Sequence, residues 1–180
     1  LGAQSLEDYD YENLTFRGIG FDVGYIWPNR VEATPIYTVR ADLGFLGPHV
    51  RIVPSIGFWS SSLDRDELAR LAEQLSRLDP LESRNVTISP DELGTIRWSD
   101  LFLALDGHYI RDVVPSVQGY VGAALGLHFF NGSGRIIDDT FVEDLLDSVT
   151  AGLSLAAGFE AAPHDRLRVH VEGRYTLLDD

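Results

Sequence analysis

The sequence predicts an all-β protein, an antiparallel up-and-down barrel, and three observations lead to that prediction. Seven segments alternate between large apolar residues and small or polar ones, with the period of two that a β-strand requires. The second row is rich in glycine, alanine and charged residues, which is typical of the inside of a narrow barrel. The connections also alternate in length, so sequential antiparallel pairing places every long connection at one end.

Composition narrows the class of protein further. With 180 residues, 44% of them hydrophobic, the chain is long enough to bury a core, and general disorder is excluded. The net charge of −14 argues against nucleic acid or an anionic lipid surface as a partner. The absence of Cys excludes disulfides and thiol catalysis. The start of the chain, Leu1 to Gln4, is compatible with the remnant of a cleaved export signal, so we expect an exported protein.

The clearest predicted strand covers 117–130, VQGYVGAALGLHFF. Its large residues include Val121 and Leu125, and Gly122 and Gly126 lie in the opposite row. Phe102, in the fourth predicted strand, departs from the small-residue rule, and Pro54 in the third suggests a local bulge. The seven strands are expected at about 14–27, 35–45, 50–58, 95–109, 117–130, 148–161 and 167–177.

Two long connections interrupt the strands, and both contain a helical pattern. The first, a helical insertion at about 62–79, carries leucines at helical spacing and an Asp64 cap, so we expect this helix to cover the barrel mouth. The second, at about 131–147, carries a capping box for a short helix. The barrel domain is therefore expected over 14–180, preceded by an extended arm over 1–13.

Charged residues in the small row are expected to face the interior. A narrow barrel has room for little more than its own side chains, so charges placed there must pair with one another. We therefore predict a closed ion-pair network instead of a pore or an active centre. Its predicted members are Asp22, Arg40, Asp42, Arg51, Asp100, Asp106, Glu160, Arg168, Glu172 and Arg174.

Three histidines share the inward row: His108, His128 and His170. They could serve hydrolysis or metal binding, but no third partner at a recognisable spacing accompanies them, and no pair has ligand spacing. The prediction is therefore no catalytic residue, no metal and no cofactor.

The segments GIGFDVGYIW and VGAALGLHFF carry a resemblance to a known family. Through them, and through the strand pattern over nearly the whole chain, the protein resembles the small outer-membrane β-barrel proteins of Gram-negative bacteria. The resemblance implies strands with apolar residues outside and polar residues inside, and a location in the outer membrane, at the cell surface or outside the cell. A soluble ligand-binding barrel is the alternative, and it predicts the reverse arrangement of large apolar residues.

The predicted strand number departs from that family, whose single-chain bacterial barrels have an even number of strands, at least eight. Seven strands leave a seam between the last and the first, so we expect the eighth strand to come from a partner or to lie outside this sequence. The candidate donor is the arm of a neighbouring copy. It would place Asp8, Asp10 and Glu12 inside, near the seam-facing residues Arg168, His170 and Arg174, and Tyr9 and Tyr11 outside.

These observations predict a structural, non-enzymatic protein whose partners are other copies of itself. Strand donation from copy to copy would build a fibre or an oligomer. The alternative is a closed monomeric barrel in outer-membrane lipid, acting as an anchor or a small pore. A barrel lipid hydrolase is a third and weaker interpretation.

Overall fold

A computed structural model describes residues 14–77, 89–133, 148–164 and 167–179. The fold is all-β, with seven antiparallel strands in one sheet whose order follows the sequence and which curls into a half-barrel. The all-β antiparallel prediction is therefore confirmed. The elements are β1 (Leu14–Ile26), β2 (Thr34–Gly44), β3 (Val50–Ser62), α1 (Arg65–Ser76), α2 (Pro90–Leu93), β4 (Arg97–Val114), β5 (Val117–Ser133), β6 (Ser148–His164) and β7 (Leu167–Leu178).

Two predicted elements lie outside the described residues: the arm over 1–13, and the short helix of the second long connection. The strands are found where the pattern places them, but β3, β4, β5 and β6 end three to five residues later than predicted. Backbone pairing continues to Val114 and Val117, past the charged residues Arg111 and Asp112. The hairpin then turns through Pro115 and Ser116, and Ser116 has a positive φ of 68°.

Pro54 interrupts one ladder and leaves the other intact. Pairing of β2 with β3 ends at Arg40 and Ser55, next to Pro54, which has no backbone N–H to donate. Beyond this point an isolated bridge pairs Phe45 with Arg51, in a register shifted by one residue. The ladder between β3 and β4 continues through Pro54 without a shift. The predicted irregularity is therefore present on the β2 side of the strand.

Inward glycines make room for the large inward side chains of neighbouring strands. Gly57 lies opposite Phe102, and a Cβ added to Gly57 would overlap the Phe102 ring. The same relation pairs Gly122 with His108, Gly158 with Tyr120, and Gly20 with Arg40. Phe102 thus fits on the inner face because the residue beside it has no side chain.

An apolar core closes the end of the sheet that carries the long connections. Helix α1 begins after Asp64, whose Oδ1 accepts a hydrogen bond from the Glu67 backbone N–H at 3.0 Å. Leu68 and Leu71 pack the helix against the core, as the leucine pattern predicts. The buried residues of this core are Val31, Trp59, Leu63, Ala72, Leu93, Ile96 and Phe130. We refer to this end, with its helix and core, as the capped end.

Candidate functional site

The inner face of the curled sheet is charged and enclosed. Arg51, Asp100, Asp106 and Glu160 are buried, and His108 has no exposed surface. Charged groups lose hydration when they are enclosed in this way, so each requires a partner. The inner face therefore gathers the enclosed charged groups that could form a functional site.

Bidentate and charge-assisted contacts join strands that are not neighbours in the sheet. Arg51 on β3 donates to both carboxylate oxygens of Glu160 on β6, at 3.0 and 2.8 Å, and lies 3.7 Å from Asp42. Arg174 on β7 reaches Asp106 on β4 at 2.5 Å. Because these contacts cross the interior, they hold the curl of the sheet, which backbone pairing between consecutive strands does not determine.

The seam lies between β1 and β7, the two edges of the sheet. Within the described residues these edges have no backbone pairing with each other, but their inward side chains meet. His170 Nε2 lies 3.0 Å from Asp22 Oδ1, and Asp22 also accepts a hydrogen bond from Arg40 at 2.5 Å. Arg40 in turn lies 3.7 Å from Glu172, so side chains of β1, β2 and β7 form one chain of contacts.

The predicted seam-facing residues all have carboxylate partners within this chain. Arg168 contacts Glu160 at 3.0 Å and Asp42 at 3.8 Å. Arg174 contacts Glu172 at 2.9 Å in addition to Asp106. The donor residues Asp8, Tyr9, Asp10, Tyr11 and Glu12 lie outside the described part of the chain, so their docking at the seam stays a prediction.

A separate polar pair lies directly beneath the capped end. His128 Nδ1 is 2.7 Å from Asp100 Oδ2, and the Trp59 indole N–H donates to the same oxygen at 3.1 Å. The His128 ring stacks on Phe102 and on Phe130. An Asp–His pair of this geometry can accept a proton, but hydrolysis by a serine mechanism also needs a hydroxyl nucleophile in contact with the imidazole.

Hydroxyl groups of the neighbouring wall have other partners. Ser154 hydrogen-bonds to Thr176 at 2.8 Å, and Thr150 donates to the Asp179 carbonyl. Tyr120 donates to Glu172 at 2.9 Å and stacks on His108. These hydrogen bonds therefore link β5 and β6 to the last residues of the chain that the structure describes, and these hydroxyls are not placed as nucleophiles.

The outer face has the opposite chemistry. From Ile19 to Ile26 on β1, and along the corresponding outward positions of β2 to β7, no residue carries a charge except Arg97 and Arg111, which lie near opposite ends of β4. Exposure of the apolar side chains is high, with Phe21 at 80% and Leu125 at 72%. Other exposed members of this outer wall are Val23, Tyr25, Tyr37, Phe58, Leu103, Leu105, Val121, Val149, Leu155, Phe159, Val169, Val171, Tyr175 and Leu177.

Sequence reasoning missed several inward apolar residues, among them Val53 and Ile110, and it also missed the glycine pairing. Val53, which is 3% exposed, lies on the inner face beside Asp106 on β4. Its position follows from strict alternation through Pro54, which the expectation of a bulge obscured. Predicting which glycine lies beside which large inward residue requires the register between neighbouring strands. The pattern of a single strand does not contain that register.

Three further findings concern the whole chain. Among the described residues, no group of three His, Asp or Glu side chains is placed to hold a metal ion. The described helices include none with the length and apolar character to cross a membrane. Comparison with protein-family models, with curated proteins and with solved structures gives no match.

Proposed function

We propose that this protein is a structural, non-enzymatic β-barrel of the outer-membrane type, which is anchored in lipid through its outer wall and completed by one further strand. The observation that carries the proposal is the apolar outer wall on all seven strands, which has no outward charge between its two rims. Contiguous exposed apolar surface of this extent needs a cover. A lipid bilayer covers every outward row at once, as the apolar band of a transmembrane barrel requires.

The inner face supports a structural role. Its arginines pair with carboxylates across the interior, as Arg51 does with Glu160 and Arg174 with Asp106. The capped end carries an apolar core that includes Trp59 and Ile96. These features favour an anchor over a pore, because conduction needs a continuous hydrated path and this end of the interior is lined by packed apolar side chains.

Flotation with lipid vesicles tests the anchor. The full chain, refolded from detergent into phosphatidylcholine vesicles, is expected to float with the lipid and to resist extraction at high salt. Leu125, near the middle of β5, is 72% exposed on the outer wall. Leu125→Arg should reduce the floating fraction strongly, because an arginine facing the bilayer midplane costs about 2–4 kcal/mol.

The control makes the reverse change, from arginine to leucine, at a position outside the outer wall. Arg77 is exposed next to α1 and pairs with Glu73, so Arg77→Leu should leave flotation unchanged. A wild-type chain that stays soluble and monomeric without detergent or lipid would contradict the anchor.

Strand donation between copies is the second candidate function, and the two unpaired edges of the sheet favour it. An open edge presents rows of backbone N–H and C=O groups that recruit another strand. In this interpretation the arm of one copy fills the seam of the next, and packed copies cover the outer wall. The product is a fibre or an oligomer, because a head-to-tail contact repeats unless it closes into a ring.

Deletion of residues 1–13 separates the two candidates. Donation by the arm predicts that the full chain pellets as filaments without detergent, visible by electron microscopy, and that the deleted chain stays monomeric. Assembly that survives the deletion would rule out the arm as donor. A chain that needs detergent with or without the arm would favour the lipid anchor.

A further inference from the structure

The inner side of the seam has an excess of carboxylates over arginines. Five carboxylates face this region, and they are Asp22, Asp42, Asp106, Glu160 and Glu172. Four arginines face them together with His170, and these arginines are Arg40, Arg51, Arg168 and Arg174. Each arginine already lies within 3.0 Å of a carboxylate oxygen. Every arginine of the seam in the described part of the chain therefore already has a carboxylate partner, and none of them needs a carboxylate from an added strand.

The edge strand β1 retains unused acceptor capacity. Asp22 Oδ1 is buried and has no hydrogen bond of good geometry among the described groups, although His170 Nε2 lies 3.0 Å away. A buried carboxylate oxygen without a donor is costly. A donor supplied from the open side of β1 would satisfy it.

The contact between Asp22 and His170 also limits the width of the seam. Neighbouring strands lie about 4.8 Å apart, so two strands separated by a single missing strand are about 10 Å apart. An aspartate and a histidine side chain reaching toward each other can span that distance. The contact is therefore compatible with a gap as wide as one strand, and the inward side chains of an added strand must share the space with it.

We propose that the seam accepts one kind of strand, with apolar residues facing outward and small, uncharged residues facing inward, except for one cationic residue that faces Asp22. A strand with acidic inward residues is rejected. This inference rests on the added strand of the proposed function and defines its chemistry. The arm in its predicted register would add Asp8, Asp10 and Glu12 to the five carboxylates already present. The arm is thus the kind of strand that the charge of the seam disfavours.

Binding of designed peptides to the full chain tests the proposal. Three ten-residue peptides share the same valine and leucine residues at outward positions. Their inward residues are all serine, serine with one arginine, or serine with three aspartates, and a fourth peptide copies residues 4–13. The dissociation constant of each fluorescently labelled peptide is measured with the chain in detergent micelles. The arginine peptide is expected to bind at least about tenfold more tightly than the aspartate peptide, and more tightly than the serine peptide.

Two substitutions locate the selectivity. Asp22→Asn should bring the dissociation constant of the arginine peptide to that of the serine peptide, and measurable binding of both peptides to the variant shows that the seam still accepts a strand. Glu73→Gln changes an exposed carboxylate of α1 and should leave the advantage unchanged. If the aspartate peptide or the arm peptide binds as tightly as the arginine peptide, the proposal is overturned.

The outcomes also separate this inference from the lipid anchor. A chain that floats with vesicles but prefers the aspartate peptide retains the anchor and loses the inference. A chain that binds the arginine peptide selectively but does not float retains the inference and loses the anchor. Failure of all four peptides to bind would overturn the inference and the added strand together.

Discussion

At the scale of single residues, Arg51 is the least exposed arginine of the inner face and contacts two carboxylates. Its removal leaves Glu160 and Asp42 enclosed with fewer cations nearby. Breaking a buried ion pair by removing one partner typically costs about 3–5 kcal/mol. Arg51→Leu should therefore lower the free energy of unfolding by about 3 kcal/mol, measured by denaturant titration in detergent.

Arg77 provides the matched comparison for Arg51. It also pairs with a glutamate, Glu73, but both side chains are mostly exposed. Exposed pairs contribute little, so Arg77→Leu should change the free energy of unfolding by no more than about 0.5 kcal/mol. Equal effects of the two substitutions would contradict the importance of the pairs that cross the interior.

Substitution by alanine at two glycines of the sheet should have different effects on the stability of the protein. A Cβ on Gly158 would lie 2.5 Å from the Val171 backbone oxygen and 2.6 Å from the Tyr120 hydroxyl. Gly158→Ala should therefore destabilise the protein by about 2 kcal/mol, as overpacking does. A Cβ on Gly107 meets nothing closer than 4.0 Å, so Gly107→Ala should be neutral or slightly stabilising. Thermal unfolding of the two variants, measured side by side, checks the difference.

The direction in which residues face could be predicted at this scale, and their partners could not. Alternation within one strand places Arg51 and Glu160 in the inward row. That they meet depends on how far the sheet curls, because β3 and β6 are not neighbours in it. The curl of the sheet depends on all of its strands together, so the sequence of a single strand does not predict it.

At the scale of elements, the N-terminus of α1 depends on one capping contact, from the Glu67 backbone N–H to Asp64. Loss of an N-cap side chain costs about 1 kcal/mol. Asp64→Ala should therefore loosen the capped end and lower the free energy of unfolding by about that amount. Glu73→Ala, an exposed change in the same helix, should have a smaller effect. Trp59 lies in the core under α1, so its fluorescence reports the local change during urea titration.

Element type could be read from the sequence more reliably than element length. The periods of two and of 3.6 separate β3 from α1 clearly, because each pattern persists over many residues. The apolar alternation ends at Tyr109, five residues before the observed end of β4 at Val114, and Arg111 and Asp112 lie in the part that it leaves out. Both residues pair in register with Gly119 and Gln118 on β5, and that hydrogen bonding outweighs their polar character.

At the scale of the whole molecule, the seven-stranded meander followed from the alternation of short and long connections. Sequential pairing is what short hairpin turns enforce, and the strand order is indeed that of the sequence. The sequence alone does not decide between the candidates for an added strand at the seam between β1 and β7, because an open edge attracts any compatible strand. The charge of the inner seam narrows that choice, and it depends on tertiary contacts such as that between Asp22 and His170.

The hydrophobic cluster that includes Trp59 and Ile96 lies at the capped end, and this has a consequence for amide hydrogen exchange. Arg111 to Val114 extend beyond β3 at the opposite rim and are exposed, whereas Asp100 lies enclosed beside Trp59. Deuterium should therefore enter β4 from its distal end and reach the amides near Asp100 last. Mass spectrometry of proteolytic fragments would record this gradient along one strand, and uniform labelling along β4 would contradict it. The protein is thus expected to open to solvent in one direction, from the turn between β4 and β5 toward the helix.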